Sequence, residues 1–246
     1  MFKRIKHGKC RCSIFACRFM LMTSSLDNPI WSALTSDCQH LGAGTDKSKH
    51  FFYDVAPFAA VEEDTFGNFQ ALYELSTEGQ VVVLFSPKEQ LNSAPWTIIN
   101  KMPGIQLVFE GEVATSMLTD KIVMLTEKDV PEMSALTRLT QLGPFLQRTI
   151  LFGGYYGIFD GDKLVAMGGK RLQGDTSTEI GSVCTHPDYA GRGYARNLLT
   201  RIITNIMEAG RVPYLHVRSD NTRAVALYAR MGFVQRSVMN FYVLKK

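Results

Sequence analysis

The sequence predicts an α/β fold, and three observations carry that prediction. Runs such as QVVVLFS, TEIGSVCT and PYLHV are rich in the β-branched and apolar residues that strands favour. Between them lie stretches whose apolar residues recur every three to four positions, the period of a helix with one buried face. Turn residues punctuate the two kinds of segment, Asp160-Gly161 giving the strongest hairpin signal.

From Asp27 onward both kinds of element are interleaved. DNPIWSALTSDCQHL begins a helix, with Asp27 or Asn28 as cap and Pro29 in the first turn, where a missing amide is no loss. KHFFYDVAPFAAV and QVVVLFS read as strands, and DTFGNFQALYEL between them as a helix through Phe66, Phe69, Leu72, Tyr73 and Leu75. WTIINKMPGIQLVFE offers one or two further strands, interrupted by Pro103 and Gly104. No catalytic motif appears in this half, so residues 27–115 are expected to form an N-terminal α/β domain whose Trp and Phe residues serve as core. GEVATSMLTD reads as a linker.

Beyond the linker, IVMLT is a strand, and EKDVPEMSALTRLTQLG carries a helix with Met133, Leu136 and Leu139 on one face, ended by Gly143 and Pro144. YYGIF and KLVAMGG flank the Asp160-Gly161 turn, and TEIGSVCT follows as a strand. The next helix buries Ala195, Leu198, Leu199, Ile202 and Ile206 and stops at Gly210. PYLHV is a strand, and SDNTRAVALYARMGF is a capped helix with Ala224, Leu227, Tyr228 and Met231 on one face. FVQRS and MNFYVLKK suggest a closing strand pair.

Composition narrows the function. With 46% hydrophobic residues the chain can bury a substantial core. No apolar run approaches the roughly 18 residues of a membrane-spanning helix, so no membrane partner is expected. The net charge of +4 is concentrated, because Lys3, Arg4, Lys6, Lys9, Arg11 and Arg18 all precede the first acid, Asp27. The remainder holds 21 bases against 23 acids, which gives no electrostatic footing for nucleic acid.

Residues 1–26 form a basic leader in which Arg18 interrupts the apolar run CSIFACRFMLM, and no small-residue cleavage site is clear. A disordered leader, or a start at Met20 or Met22, is favoured over a working signal. His7, Cys10, Cys12 and Cys17 match no strong zinc spacing, and only Cys38 and Cys184 lie elsewhere. Neither a metal site nor a disulfide framework is expected, and a reducing, cytoplasmic compartment is the default.

Chemistry concentrates in HPDYAGRGYARNLL, residues 186–199. A strand that runs into a glycine-rich turn and a helix aims unpaired amides and the positive end of the helix dipole at one spot, which suits an anion. Gly191, Gly193 and Ala195 keep bulk away, so a phosphate can approach the backbone. Two nucleotide patterns fail here: GxGxxG would need glycine at Arg196, and Gly169-Lys170 is followed by Arg171 rather than Ser or Thr. Alone, the turn is explained about as well by close packing of helix and strand.

The stretch resembles the pyrophosphate loop of the GNAT acetyltransferase superfamily: Arg or Gln, two residues, Gly, one residue, then Gly or Ala. Here the positions are Ala190, Gly191, Arg192, Gly193, Tyr194 and Ala195, with Ala190 departing from the pattern. NTRAVALYARMGF resembles the superfamily's second signature through Asn221, Ala224, Leu227, Tyr228, Gly232 and Phe233. The resemblance covers about residues 118–246 and implies a mixed central sheet of GNAT type flanked by helices. A motif-free α/β half before a motif-bearing one is also similar to the plan of glycine N-acyltransferase-like proteins. That similarity would make the smaller front domain a degenerate copy of the same fold, and the acceptor a small amino compound.

The resemblance implies an acetyl-CoA-dependent N-acetyltransferase that moves acetyl directly to a primary amine of a small molecule or peptide. Val183, Cys184 and Thr185 would lie along the pantetheine arm, and amides of Gly191, Arg192, Gly193, Tyr194 and Ala195 would hold the pyrophosphate. Asn221 would steady the arm from the other side. Glu179, eleven residues before Ala190, would take a proton from an ammonium substrate, since only the neutral amine attacks a thioester. Its alternative is a solvated residue at a strand start.

Tyr228 would protonate the departing thiolate, its alternative being plain core. A strand amide near Val183 would stabilise the oxyanion. His186 and His216 are reserve bases, and Cys184 reads as a buried strand cysteine rather than a nucleophile. Phe145, Phe152, Tyr155 and Tyr156 are candidates for the lining of the acceptor pocket. An acyl-CoA-binding sensor without catalysis is the alternative function. Acyl length, acceptor identity and oligomeric state are left open.

Overall fold

The computed structural model describes residues 25–112, 122–143 and 145–246. The leader up to residue 24, with His7, Cys10, Cys12 and Cys17, lies outside the described residues, as do linker residues 113–120 and Pro144.

Helix α1 (Pro29–Leu34) starts at Asn28, whose side-chain oxygen accepts the Trp31 amide at 3.4 Å. β1 (Gly42–Gly44), β2 (Ser48–Phe51) and β3 (Ala59–Val61) form a small antiparallel sheet, so KHFFYDVAPFAAV holds two strands joined by a turn. Helix α2 (Phe66–Leu75) is capped by Thr65 and buries Phe69 and Leu72, while Phe66 and Leu75 stay exposed. β4 (Val81–Ser86), β5 (Thr97–Met102) and β6 (Gly104–Phe109) follow, the last two parted by Pro103.

β7 (Ile122–Met124) and α3 (Val130–Leu139) precede the hairpin of β8 (Tyr156–Asp160) and β9 (Lys163–Gln173). β10 (Ser177–Thr185), α4 (Tyr194–Glu208), β11 (Val212–Arg218) and α5 (Thr222–Arg230) come next. β12 (Phe233–Val238) and β13 (Asn240–Lys245) close the chain.

A seven-stranded mixed sheet runs in the order β12-β6-β11-β10-β9-β8-β7. β10 and β11 are its parallel neighbours, and α4 supplies the crossover that a parallel pair requires. On one face Leu199, Ile202, Ile203 and Ile206 of α4 are buried in one cluster with Ile180, Leu215 and Phe233. Each such fully buried side chain contributes about 1.5–3 kcal/mol, enough for α4 to anchor that face. The opposite face is covered from α1, α3 and the N-terminal strands, with Phe51, Phe85, Met133, Phe152, Tyr155, Met167 and Phe241 in one core.

The closing strands do not pair with each other as the sequence suggests. β12 pairs with β6, whereas β13 lies in a second sheet between β4 and β5. Met239 alone separates them, which is too short for even a two-residue hairpin loop, so the chain passes from one sheet to the next. The two halves of the sequence therefore share sheets, since β6 lies between β11 and β12 and β13 lies between β4 and β5. A cut at residue 115 would sever both ladders. Among the described residues, no helix is long and apolar enough to cross a membrane.

Candidate active site

β10 and β11 pair at three positions, Ser177 with Val212, Thr178 with Pro213 and Glu179 with Tyr214, and then part. From Ile180 to Thr185, β10 keeps its β9 neighbour and leaves its other edge without a strand partner among the described residues. An open strand edge is a template for an extended ligand that carries amide groups. The β9 register shifts between Gly181 and Cys184, where Ser182 takes a φ of 56°, and such a bulge re-aims the strand. Val183 packs toward the α4 side. Cys184 is buried in the core of the opposite face, and burial pushes its thiol up to about 11, which keeps it neutral. The Thr185 hydroxyl is buried with no hydrogen-bond partner among the described residues.

Beyond β10 the chain enters the glycine turn. Gly191 and Gly193 take φ values of 81° and 82°, and a Cβ on either would meet nothing within 4 Å. Glycine is required here by backbone conformation rather than by packing. The first α4 bond runs from the Asn197 amide to the Gly193 carbonyl at 3.0 Å. The amides of Arg192, Gly193, Tyr194 and Ala195 have no protein acceptor among the described residues, so they point their donors outward together with the helix dipole. The Arg192 guanidinium stays beside the turn, 4.6 Å from the centre of the Tyr189 ring. Asn221 caps α5 by accepting the Ala224 amide at 3.2 Å, which leaves its side-chain amide nitrogen available.

Tyr228 lies on α5 in edge contact with Phe233, ring centres 5.8 Å apart. Burial pushes its hydroxyl up to about 12, with Cys184 of β10 adding to the shift. The phenol therefore keeps its proton at neutral pH and can donate it beside the β10 bulge.

Glu179 occupies a different environment from the one expected. Its side chain is fully buried, with Arg171 Nε donating to Oε2 at 2.8 Å, Arg171 Nη2 donating to Oε1, and His216 Nδ1 2.6 Å from Oε1. Burial alone would raise its pKa, but Arg171 and then His216 outweigh that effect and hold it at about 2. A carboxylate this acidic and this occupied is poorly suited to take a proton from an ammonium group at neutral pH.

His216 is equally committed. Its Nε2 lies 2.9 Å from Nε2 of Gln106, a group that only donates, so Nε2 is the acceptor and Nδ1 carries the proton toward Glu179. Gln106 also donates to the Leu26 carbonyl at 2.8 Å and accepts from Arg236, which reaches Asp27 at 2.7 Å. His186 accepts the Asp188 amide at 3.3 Å and so holds the turn before the glycines.

The sequence reading missed Arg171, Gln106, Phe58 and Phe85. Arg171 had a signal, because it stands eight residues before Glu179 across the tight turn closed by the Gly174 amide and the Ser177 carbonyl. A buried acid on one strand of a hairpin calls for a base on the other. Of the aromatics expected to line a pocket, Phe145, Phe152 and Tyr155 are core, Phe145 packing edge-on against Tyr155 at 5.4 Å. Tyr156 accepts from Asn205 of α4 at 2.5 Å and therefore faces away from them. Among the described residues, no group of three His, Cys, Asp or Glu side chains is placed to hold a metal ion.

Known proteins share the sequence and fold that carry this site. The family model described as FR47-like protein matches residues 155–242. The fold as a whole is similar to the crystal structure of a GNAT-family protein from Novosphingobium aromaticivorans, 32% identical with a TM-score of 0.82, covering 90% of this chain and 98% of that one. N-alpha-acetyltransferase RimI of Mycobacterium tuberculosis is 38% identical over 82 residues, 32% of this chain and 51% of its own length. The ribosomal protein bS18-alanine N-acetyltransferase of Salmonella typhimurium is 30% identical over 82 residues, 33% of this chain and 55% of its own. The chain thus spans about half the length of these curated relatives.

Proposed function

The chain belongs to the GNAT superfamily, and from that membership we propose that it is an acyltransferase moving the acetyl group of acetyl-CoA to a primary amine of a small molecule or peptide. One observation carries this reading: the open edge of β10 from Ile180 to Thr185 leads directly to the unpaired amides at the start of α4. A pantetheine arm, with its two amides, would pair along Val183, Cys184 and Thr185 as an added strand does. The pyrophosphate would then meet the amides of residues 191–195, held in place by the left-handed backbone that glycine adopts at 191 and 193.

A thioester carbonyl lying beside the bulge would meet the Val183 amide, which would stabilise the oxyanion as the amine attacks. As the new C–N bond forms and the C–S bond breaks, the Tyr228 proton passes to sulfur, and the extra proton left on the acylated nitrogen returns through water to the Tyr228 phenolate. The ammonium proton goes to water, because both Glu179 and His216 are already engaged. Two relatives named as N-acetyltransferases support an amine acceptor.

The engagement of Glu179 by Arg171 and His216 is the observation that favours an acyl-CoA sensor instead, and an intact Tyr228 on α5 favours the enzyme. Thiol release from acetyl-CoA in the presence of a panel of primary amines separates them. Amine-dependent release with an acetylated product is expected; binding of CoA without release from any amine would leave the sensor.

A further inference from the structure

Helices α4 and α5 begin at the same end of the sheet, where the parallel strands β10 and β11 finish, and between them lies a cleft of about 80 Å³. One wall is Arg196, Thr200 and Ile203, whose helical spacing makes them a single stripe of α4 beside the Leu199, Ile202 and Ile206 stripe that packs on the sheet. Arg230, at the end of α5, stands on the other wall, and Phe109 of β6 lies between. Two glycines shape the rim. A Cβ at Gly111 would come 2.9 Å from the Gly232 Cα, and the Glu110 amide donates to the Gly232 carbonyl at 3.0 Å. That close crossing carries Glu112 past the end of α5 and into the lining.

The charges of the cleft are unspent. Arg196 and Arg230 have no hydrogen bond or ion pair among the described residues, and Glu112, the one acid of the lining, pairs with neither. Phe109, Thr200 and Ile203 beneath them are buried. Two guanidinium groups above low-dielectric walls hold an anion more strongly than the same groups on open surface. A phosphate suits them in particular, because each planar fork offers parallel donors to a pair of its oxygens.

The place where the cleft opens identifies the phosphate. Arg196 is the third residue of α4, about 3 Å along the axis from Tyr194. The amides at that helix start are the ones assigned above to the pyrophosphate of CoA. In CoA a ribose joins the pyrophosphate to a 3′-phosphate monoester, which carries roughly two negative charges at neutral pH. A molecule whose pyrophosphate sits on the turn therefore brings its third phosphate within reach of a long side chain on the first turn of α4.

Resting on the acetyl-CoA reading, we infer that Arg196 and Arg230 bind the 3′-phosphate of CoA across the cleft between α4 and α5, so that the protein selects CoA over dephospho-CoA.

Calorimetry of the full chain with CoA and with dephospho-CoA tests this. The wild-type protein is expected to bind CoA roughly 10- to 100-fold more tightly, the range for hydrogen bonds to a charged group. Both arginines are exposed, so the double variant Arg196→Gln with Arg230→Gln should keep the fold. In it the ratio should fall toward one through loss of CoA affinity, with dephospho-CoA binding unchanged. Glu112→Gln removes the acid of the lining and should raise the ratio. Arg223→Gln, an exposed cation of α5 outside the lining, should leave it as it is. Equal affinities in the wild-type protein would overturn the inference while CoA binding stands. So would a ratio that survives in the double variant, one that falls in Glu112→Gln, or one lost in Arg223→Gln. Failure of CoA to bind at all would instead remove the underlying reading, and the inference with it.

Discussion

His216 and Glu179 meet in the interior, Nδ1 of the histidine 2.6 Å from Oε1 of the carboxylate, at one end of a polar chain that runs through Gln106 and Arg236 to Asp27. The two side chains that look most like catalytic bases in the sequence are thereby joined to each other. Glu179→Gln should accordingly leave the alkaline-rising limb of the rate profile in place, since that limb reports ionisation of the amine itself. Loss of the limb in kcat/KM measured from pH 6 to 10 would restore Glu179 as the base.

The Glu179 carboxylate, held chiefly by Arg171 and then by His216, makes the fold sensitive to acid. Glu179 is held at about 2, below its ordinary 4.5, so its contribution is complete above the unfolded value and is lost as pH falls from about 4.5 toward 2. The shift corresponds to about 3 kcal/mol. Urea unfolding at a series of pH values should show the parent's advantage over Glu179→Gln shrinking across that window. A constant difference would contradict the assignment.

Tyr228→Phe removes the proposed acid and little else, because the ring packing against Phe233 is retained. Turnover is expected to fall roughly 100-fold, within the range for general acid catalysis, with CoA affinity changed by no more than about twofold. Steady-state kinetics with calorimetry checks both, and an unchanged kcat would refute the role.

Gly193→Ala separates conformation from packing. The new methyl meets no atom, so the stability loss should be limited to backbone strain of about 1–2 kcal/mol. Re-aimed amides should weaken CoA binding on the order of tenfold, about 1.4 kcal/mol. Thermal melting and calorimetry on the same samples would show it, and an unaltered affinity would mean that these amides do not hold the pyrophosphate.

Ala190 is exposed at the edge of the same turn. If backbone amides do most of the binding, Ala190→Arg should add on the order of 1 kcal/mol, about a fivefold gain in CoA affinity. A clear weakening would show a loop built differently from the pattern it resembles.

Much of the fold was legible because local rules and tertiary structure agree. The cap at Asn28, the capped start of α5, the turn at Gly161 and the helix stop at Gly210 are all fixed by their own neighbours in sequence. The glycine turn was legible for the same reason. What the sequence hid depends on distant pairings. β13 reads like the partner of β12, and only the placement of β4 and β5 draws it into another sheet. Gln106 contacts His216 because β6, from the first half, pairs with β11 from the second. Phe58 and Phe85 reach Arg171 from that same half. The role of Glu179 turned on those partners, which spacing from Ala190 does not reveal.

Amide hydrogen exchange of the full chain, followed with and without CoA, measures the proposed binding path residue by residue. Protection on adding CoA should appear along the open edge of β10, residues 180–185, and at residues 191–195 where α4 begins, with little change at β1 to β3. Protection confined to other elements, or none at saturating CoA, would contradict the site.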